Sequence, residues 1–489
     1  MSDAEIGARY GISFNLLQQI ITERYGTNIS VLKGPKRIKR WVPRDFHAEA
    51  TTVWSFKQRG DWATHNGRYR GNWSPYIPRN VILKYSQPGD IVLDYFVGGG
   101  TTAVEAKLLG RRCIARDINP GAIGITLENL RFVPPRSCLD NLSQIYEPDV
   151  SIGDARDLSD ISDNSIDLIC AHPPYAGIIK YSTKIPGDLS SLPVREFLVE
   201  MGTVARESLR VLKPGGKCAI LIGDARKEKH VVPIGFQTIR VFLDAGFSLR
   251  ELVIKRQHNC KTTGFWYARS VQHNFLLLAH EYLPIFEKPI VTQVSEQLSF
   301  WAHVMPCQQT IQLVPEIEPD MVETTTVWIF PPERLETEVR RNLLRRFATP
   351  GSNFVEIVLD GEQSRQQFES VPNADLVYIT PPNAIKDTQD IIAYRATIED
   401  IARYVAKTLP VGKHLVLDTK DVRCGDTLWP MGLLLWEDLR RQKEFSIREI
   451  VVIVPEVSMA RQRTVDEFLE ITHRYLLIYV KKGGQDGKG

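Results

Sequence analysis

Short apolar runs alternate along this chain with stretches in which apolar residues recur every three or four positions. Between about 45 and 290 the runs "DIVLDYF", "RRCIARDI", "IDLICA", "KCAILIG" and "NFLLLAHEYLPIFEK" read as strands. "TTAVEAKLLG", "REFLVEMGTVARESLRVL" and "PIGFQTIRVFLDAGF" read as helices. Strands that keep returning after helices predict an α/β fold with a doubly wound, mostly parallel sheet.

The pattern then recurs. After a Gln-, Glu- and Pro-containing stretch at 291–320, read as a linker, "TTVW" (51–54) returns at 325–328. "PGDIVLD" (88–94) is echoed by "PGSNFVEIVLD" (350–360), and "IDLICAHPP" (166–174) by "ADLVYITPP" (374–382). "FSLRELVI" (247–254) matches "FSIREIVV" (445–452), and "AHEYLPIFEK" (279–288) matches "THRYLLIYVK" (472–481). Matches in one order predict that 321–482 repeats the fold of 45–290, with 483–489 a tail.

The 489 residues are too many for one ordinary core, and 43% hydrophobic with 24% charged is the composition of globular domains. A net charge of +3 excludes a global polycation, so nucleic-acid contact would need local basic patches. The scattered cysteines form no CxxC pair, which argues against a zinc site and for reduced thiols in a cytoplasm. "MSDAEIGARYG" does not read as a signal peptide, and no apolar run approaches the roughly 20 residues that span a bilayer.

Residues 1–44 stand apart. Two short helices around "RYGIS", the first capped by Ser2 or Asp3, resemble a DNA-contacting helix-turn-helix and equally an ordinary helical hairpin. The basic run "KGPKRIKRW" (33–41) follows.

The chemistry gathers where strands end. "VLDYFVGGGTT" runs a strand through Gly98, Gly99 and Gly100 into a helix starting at Thr101 and Thr102, with Asp94 and Phe96 before the turn. Such a turn lets backbone approach a ligand and serves nicotinamide dinucleotides as readily as other nucleoside cofactors. The next strand ends "IARDINP", placing Asp117 where a carboxylate accepts ribose hydroxyls, with Asn119 beside it. A third, in "SIGDARDL", delivers Asp154 and Ala155, and the carboxylate could bond an adenine amine. A fourth ends His172-Pro173-Pro174-Tyr175.

In this order the motifs resemble the DNA amino-methyltransferases, over roughly residues 45–290. The resemblance implies a Rossmann-like methyltransferase sheet, S-adenosylmethionine as cofactor, and methylation of the exocyclic amine of adenine or cytosine. Adenine is favoured slightly. It also implies that the upstream "GNWSPYIPRNVILKYS" closes over the methionine end of the cofactor. At the corner, a polar side chain and a proline carbonyl would hold the amine while Tyr175 stacks on a base swung out of the duplex. The family usually has Asp, Asn or Ser where His172 stands. Neutral imidazole can still accept a hydrogen bond and imidazolium cannot, so activity is expected to fall through a pH of roughly 6.5. No Pro-Cys motif is present for attack on ring carbons.

Around the corner, "YSTKIPGDLSSL" (181–192) reads as a loop closing over the base or the DNA backbone. Lys180, Lys255, Arg256, Lys261, Trp266 and Tyr267 are the expected nucleic-acid contacts, with double-stranded DNA the partner, a restriction endonuclease a companion, and a monomer or homodimer the acting form. The repeat has "GEQSRQQF" in place of the glycine turn and Thr380-Pro381-Pro382-Asn383 at its corner. It reads as a lobe without cofactor that completes a DNA cleft, with "RRNLLRR" (340–346) either contacting DNA or forming a surface helix. A tRNA amino-methyltransferase and a non-catalytic DNA-binding regulator are the competing readings.

Overall fold

The computed structural model describes residues 36–44, 46–133, 144–176, 185–258, 264–290, 305–316, 322–359, 374–456 and 467–483. The helix-turn-helix reading of residues 1–30, Lys180, Lys261 and the start of the 181–192 loop lie outside them.

Ten strands belong to the first lobe: β1 (Val53–Ser55), β2 (Ile91–Asp94), β3 (Arg112–Asp117), β4 (Asp149–Ile152), β5 (Ile166–Ala171), β6 (Leu212–Ile220), the hairpin β7 (Ala225–Lys227) and β8 (His230–Val232), β9 (Ser248–Arg256) and β10 (His280–Glu287). Eight form one sheet in the order β1-β9-β10-β6-β5-β2-β3-β4. All pair in parallel except β10, which runs antiparallel between β6 and β9. The strand order reverses at β2, where loops diverge and ligands bind in open α/β sheets.

Helices α1 (Tyr76–Tyr85), α2 (Thr101–Leu108), α3 (Pro120–Asn129), α4 (Val194–Val211) and α5 (Ile234–Asp244) pack on this sheet, and α6 (Gly264–Gln272) precedes β10. Helix α4 shows why: Phe197, Met201, Val204, Ala205, Ser208 and Val211 fall on one stripe and are all buried.

The second lobe has β11 (Cys307–Leu313), β12 (Val327–Phe330), α7 (Leu335–Phe347), β13 (Asn353–Leu359), β14 (Ala374–Thr380), α8 (Thr388–Thr408) and β15 (His414–Thr419). The hairpin β16 (Val422–Cys424) and β17 (Thr427–Trp429) follows, then α9 (Met431–Arg440), β18 (Phe445–Pro455) and β19 (Arg474–Lys481). Its sheet runs β11-β13-β14-β15-β19-β18-β12. The last six strands stand in the order of β2, β5, β6, β10, β9 and β1. In the place of β3 lies β11, antiparallel to β13. Residues 307–313, read from the sequence as linker, are therefore this edge strand, whose polar side chains suit a sheet edge. Among the described residues no helix is long and apolar enough to cross a membrane.

The lobes meet in a seam of near-twofold symmetry. Trp54 Nε1 donates to the Thr51 carbonyl and Trp328 Nε1 to the Thr325 carbonyl, both at 2.9 Å. The Thr52 hydroxyl meets Nδ1 of His473 in the other lobe at 2.8 Å, and Thr326 meets Nδ1 of His280 at 2.9 Å. The far nitrogen of each ring reaches the hydroxyl of Tyr475 or Tyr282, and those hydroxyls donate to Asp421 and Asp224. Buried Glu449 takes Arg226 and the Leu276 N–H, while buried Glu251 takes Arg423 and the Leu469 N–H. One apolar cluster runs through both lobes, with Phe236 packed against Tyr282, Trp436 and Tyr475.

Candidate active site

The cleft forms at the C-terminal ends of β2, β3, β4 and β5. After β2 the chain turns through Gly98 (φ +53°) and Gly100 (φ +82°), a left-handed backbone that glycine adopts without strain. A Cβ on Gly98 would sit 2.9 Å from the Tyr69 ring, and one on Gly100 2.9 Å from Thr126. The sequence assigns these glycines to ligand approach; the structure adds that Tyr69 and Thr126 leave no room beside them. The Gly99 carbonyl accepts from Asn129. Asp94 lies buried beneath the turn, accepting the Phe96 N–H at 3.0 Å, and burial pushes its carboxyl up to about 7. Thr101 donates to Asn72 at 2.5 Å, and Thr102 to the Cys170 carbonyl.

Asp117, at the tip of β3, accepts one backbone N–H on each oxygen, from Gly98 and Asn119, both at 2.9 Å. Burial pushes its carboxyl up to about 6. Each oxygen keeps a lone pair for a ligand hydroxyl. Asn119 caps α3 through its side chain. Asp154, just beyond β4, is gripped by the Arg156 guanidinium at 2.9 and 2.6 Å. Ala155 is buried beside it.

On the other side of β2, strand β5 ends at the corner. The His172 ring stacks on Trp73, centroids 5.4 Å apart at 23°, and meets Tyr175 edge-on at 5.5 Å. His172 Nε2 lies 3.2 Å from the Tyr175 hydroxyl, and that hydroxyl donates to Glu281 on β10. Burial pushes the imidazole down to about 4, against the pull of Glu281 and with Lys255 and Arg59 adding to it. Burial of the imidazole thus moves the pH at which activity is expected to fall from near 6.5 to about 4.

These parts line one cleft, which with its open mouth encloses about 760 Å³. Phe96, Gly98, Asp117, Asn119, Asp154, Ala155, His172 and Pro174 of the expected residues face it. Asp94, Gly99, Gly100, Thr101, Thr102, Pro173 and Tyr175 adjoin these lining residues along the chain. Lys255, read as a DNA contact, is paired with Glu281 at 2.7 Å, and neither it, Arg256 nor Tyr267 lines the cleft. Tyr267, on α6, is 42% exposed, and the Trp266 side chain lies outside the described residues.

The sequence also underread the upstream segment. Tyr69, Asn72 and Trp73 line the cleft, with Asn72 accepting from Thr101 and the Trp73 carbonyl from Arg59, and fully buried Glu105 on α2 anchors residues on either side of them. That carboxylate receives Trp62 Nε1, His65 Nε2 and Arg79, and His65 and Arg79 outweigh its burial to keep it below the ordinary range. The motif "GNWSPY" was the signal for Asn72 and Trp73. Nothing in sequence flagged Glu281.

Residues 24–128 match the sequence model of the N6/N4 DNA methylase family. Over these residues the chain is similar to the DNA amino-methyltransferases. The match covers the glycine turn and Asp117 of the first lobe and ends before the corner. A tRNA (guanine(10)-N2)-dimethyltransferase of Methanothermobacter thermautotrophicus is 35% identical over 131 residues, 27% of this chain and 34% of its own length. The type II methyltransferase M1.MboII of Moraxella bovis is 37% identical over 89 residues, 17% of this chain and 34% of its own. The chain thus spans about a third of the length of these curated relatives. A crystal structure of an S-adenosylmethionine-dependent methyltransferase from Methanosarcina mazei aligns with 43% of this chain and 98% of its own, at 18% identity and TM-score 0.30. S-adenosylmethionine is the cofactor of the family, and the cleft suits it: a carboxylate with free lone pairs at β3, a second at β4, and a left-handed turn between β2 and α2.

Proposed function

We propose that the protein methylates the exocyclic amine of a base swung out of double-stranded DNA, adenine N6 ahead of cytosine N4. The observation that supports this is a single cleft holding Asp117 and Asp154 on one side of β2 and His172 with Pro174 on the other. A base inside a duplex cannot enter such a cleft, so flipping belongs to the reading.

S-adenosylmethionine supplies a methyl already activated on a sulfonium. Asp117 accepts the ribose hydroxyls, and Asp154 the adenine amine of the cofactor. An exocyclic amine is a weak nucleophile because its lone pair is delocalised into the ring. Neutral His172 accepts one N–H and the Pro173 carbonyl the other, turning the lone pair towards the methyl. Trp73, stacked on His172, fixes the ring that does this. Catalysis is then chiefly positioning. The inferred setting is cytoplasmic, as a monomer or homodimer, with a cognate restriction endonuclease as companion.

Incubation with radiolabelled S-adenosylmethionine and DNA, followed by digestion to nucleosides, tests the reading. Label on the adenine or cytosine amine supports it; label absent from DNA overturns it. The tRNA-modifying archaeal relative favours one second reading, a guanine amine in RNA, for which label appears in tRNA instead.

A further inference from the structure

His172 can serve as an acceptor only through a nitrogen that carries no proton, and its surroundings decide which nitrogen that is. Glu281 sits on β10 and is 5% exposed. Burial raises its carboxyl, but the Lys255 ammonium, His172 and hydrogen bonds from Lys255 and Tyr175 outweigh this and hold it below the ordinary range. It is therefore a carboxylate, acceptor only. One oxygen takes Lys255 Nζ at 2.7 Å, and the other takes the Tyr175 O–H. With its proton committed to Glu281, Tyr175 has only lone pairs to offer His172 Nε2 at 3.2 Å. That nitrogen must then carry the proton. Nδ1 is left bare, in a ring that lines the cleft.

We propose that Glu281, acting through Tyr175, fixes His172 in the Nε2–H tautomer so that Nδ1 accepts the hydrogen bond from the target amine. Glu281 is a positioning residue. The amine rests on the proposed function; the tautomer does not.

The repeat supplies an independent argument. In ungapped register the second lobe has Thr380 for His172, Asn383 for Tyr175, Ile453 for Lys255 and Arg474 for Glu281. All four members change together. Their immediate neighbours are retained: His280 and Tyr282 flank Glu281 as His473 and Tyr475 flank Arg474. The flanking residues build the seam in both lobes, so the seam does not require the relay.

The test is 15N NMR of the full chain labelled in histidine, with the His172 signals assigned by their loss in His172→Asn. The expected spectrum at pH 7 has a protonated Nε2 and a bare Nδ1. Glu281→Gln should invert it. Lys255 takes the amide oxygen, the amide N–H meets the Tyr175 oxygen, and the freed hydroxyl donates to Nε2, so Nδ1 gains the proton. That variant should lose roughly 10²–10³-fold in kcat with cofactor affinity unchanged. Adding Lys255→Leu lets the amide turn round and restores the tautomer. If Glu281→Gln does not fold, Tyr175→Phe should give a mixed tautomer. A wild-type His172 protonated on Nδ1, or a Glu281→Gln variant with unchanged tautomer and kcat, overturns the proposal. A correct tautomer in a protein that labels no nucleic acid overturns the proposed function alone.

Discussion

The two lobes share a seam and differ in everything that meets a ligand. Each presents a Thr hydroxyl to the other's His ring, a Tyr to its own Asp, and a buried Glu to the other's Arg. Among the described residues only the first carries strands in the places of β3 and β4, whose tips bear Asp117 and Asp154. In the second, among the described residues, β13 is flanked by β14 and the edge strand β11. The strands that pair the lobes are thus common to both sheets, while the described strands that bear the cleft carboxylates belong to the first. Seam residues and site residues occupy separate strand positions, alternating along β10, so one set can change without the other.

The comparison breaks most severely at the seam. Arg226→Met strands the carboxylate of Glu449, and Arg423→Met that of Glu251, both essentially fully buried. Removing one partner of such a pair costs about 3–5 kcal/mol. Urea unfolding should show similar losses for the two variants; a loss from only one would mean that the symmetry is geometric and not energetic. At the corner, His172→Ala should lower kcat roughly 10²–10³-fold with S-adenosylmethionine binding intact, while Thr380→Ala, its counterpart, leaves kcat unchanged. Equal effects would contradict a single working site.

Asp117 and His172 titrate apart. Asp117 must be ionised to accept both ribose hydroxyls, and it takes up a proton near pH 6, so cofactor affinity should weaken as the pH falls through 6. His172 stays neutral until about 4, so kcat at saturating cofactor should hold steady across that range. A kcat that falls near 6.5 would place the imidazole in water. Asp117→Asn should remove the pH dependence of binding, as calorimetry can show. The smallest effect belongs to the indoles: Trp54→Phe and Trp328→Phe each lose one hydrogen bond, about 1 kcal/mol apiece, again in parallel.

Much of this was legible in the sequence because it is local. The run "IDLICA" is β5 to the residue, and the glycine turn announces the cleft. The repeat gave the second lobe, since matched runs in matched order build matched strands. What escaped depends on distant partners. "CQQTIQL" is too polar to look like a strand until β13 lies beside it. Glu281 interrupts an apolar run and is explained only by Lys255 and Tyr175, residues brought to it by folding. The acidity of His172 depends on enclosure by Trp73 and Tyr175, which no spacing encodes.

The crossed contact between Thr52 and His473 spans 421 positions. At ordinary rates of synthesis, the ribosome adds the second residue roughly 20–80 s after the first. The first lobe thus emerges from the exit tunnel long before its threonine can be satisfied, with His280 also waiting for Thr326. Long-range closure of this kind slows folding and leaves the nascent first half with an uncovered face for much of translation. The lobe that carries the chemistry is completed only when the end of the other lobe arrives.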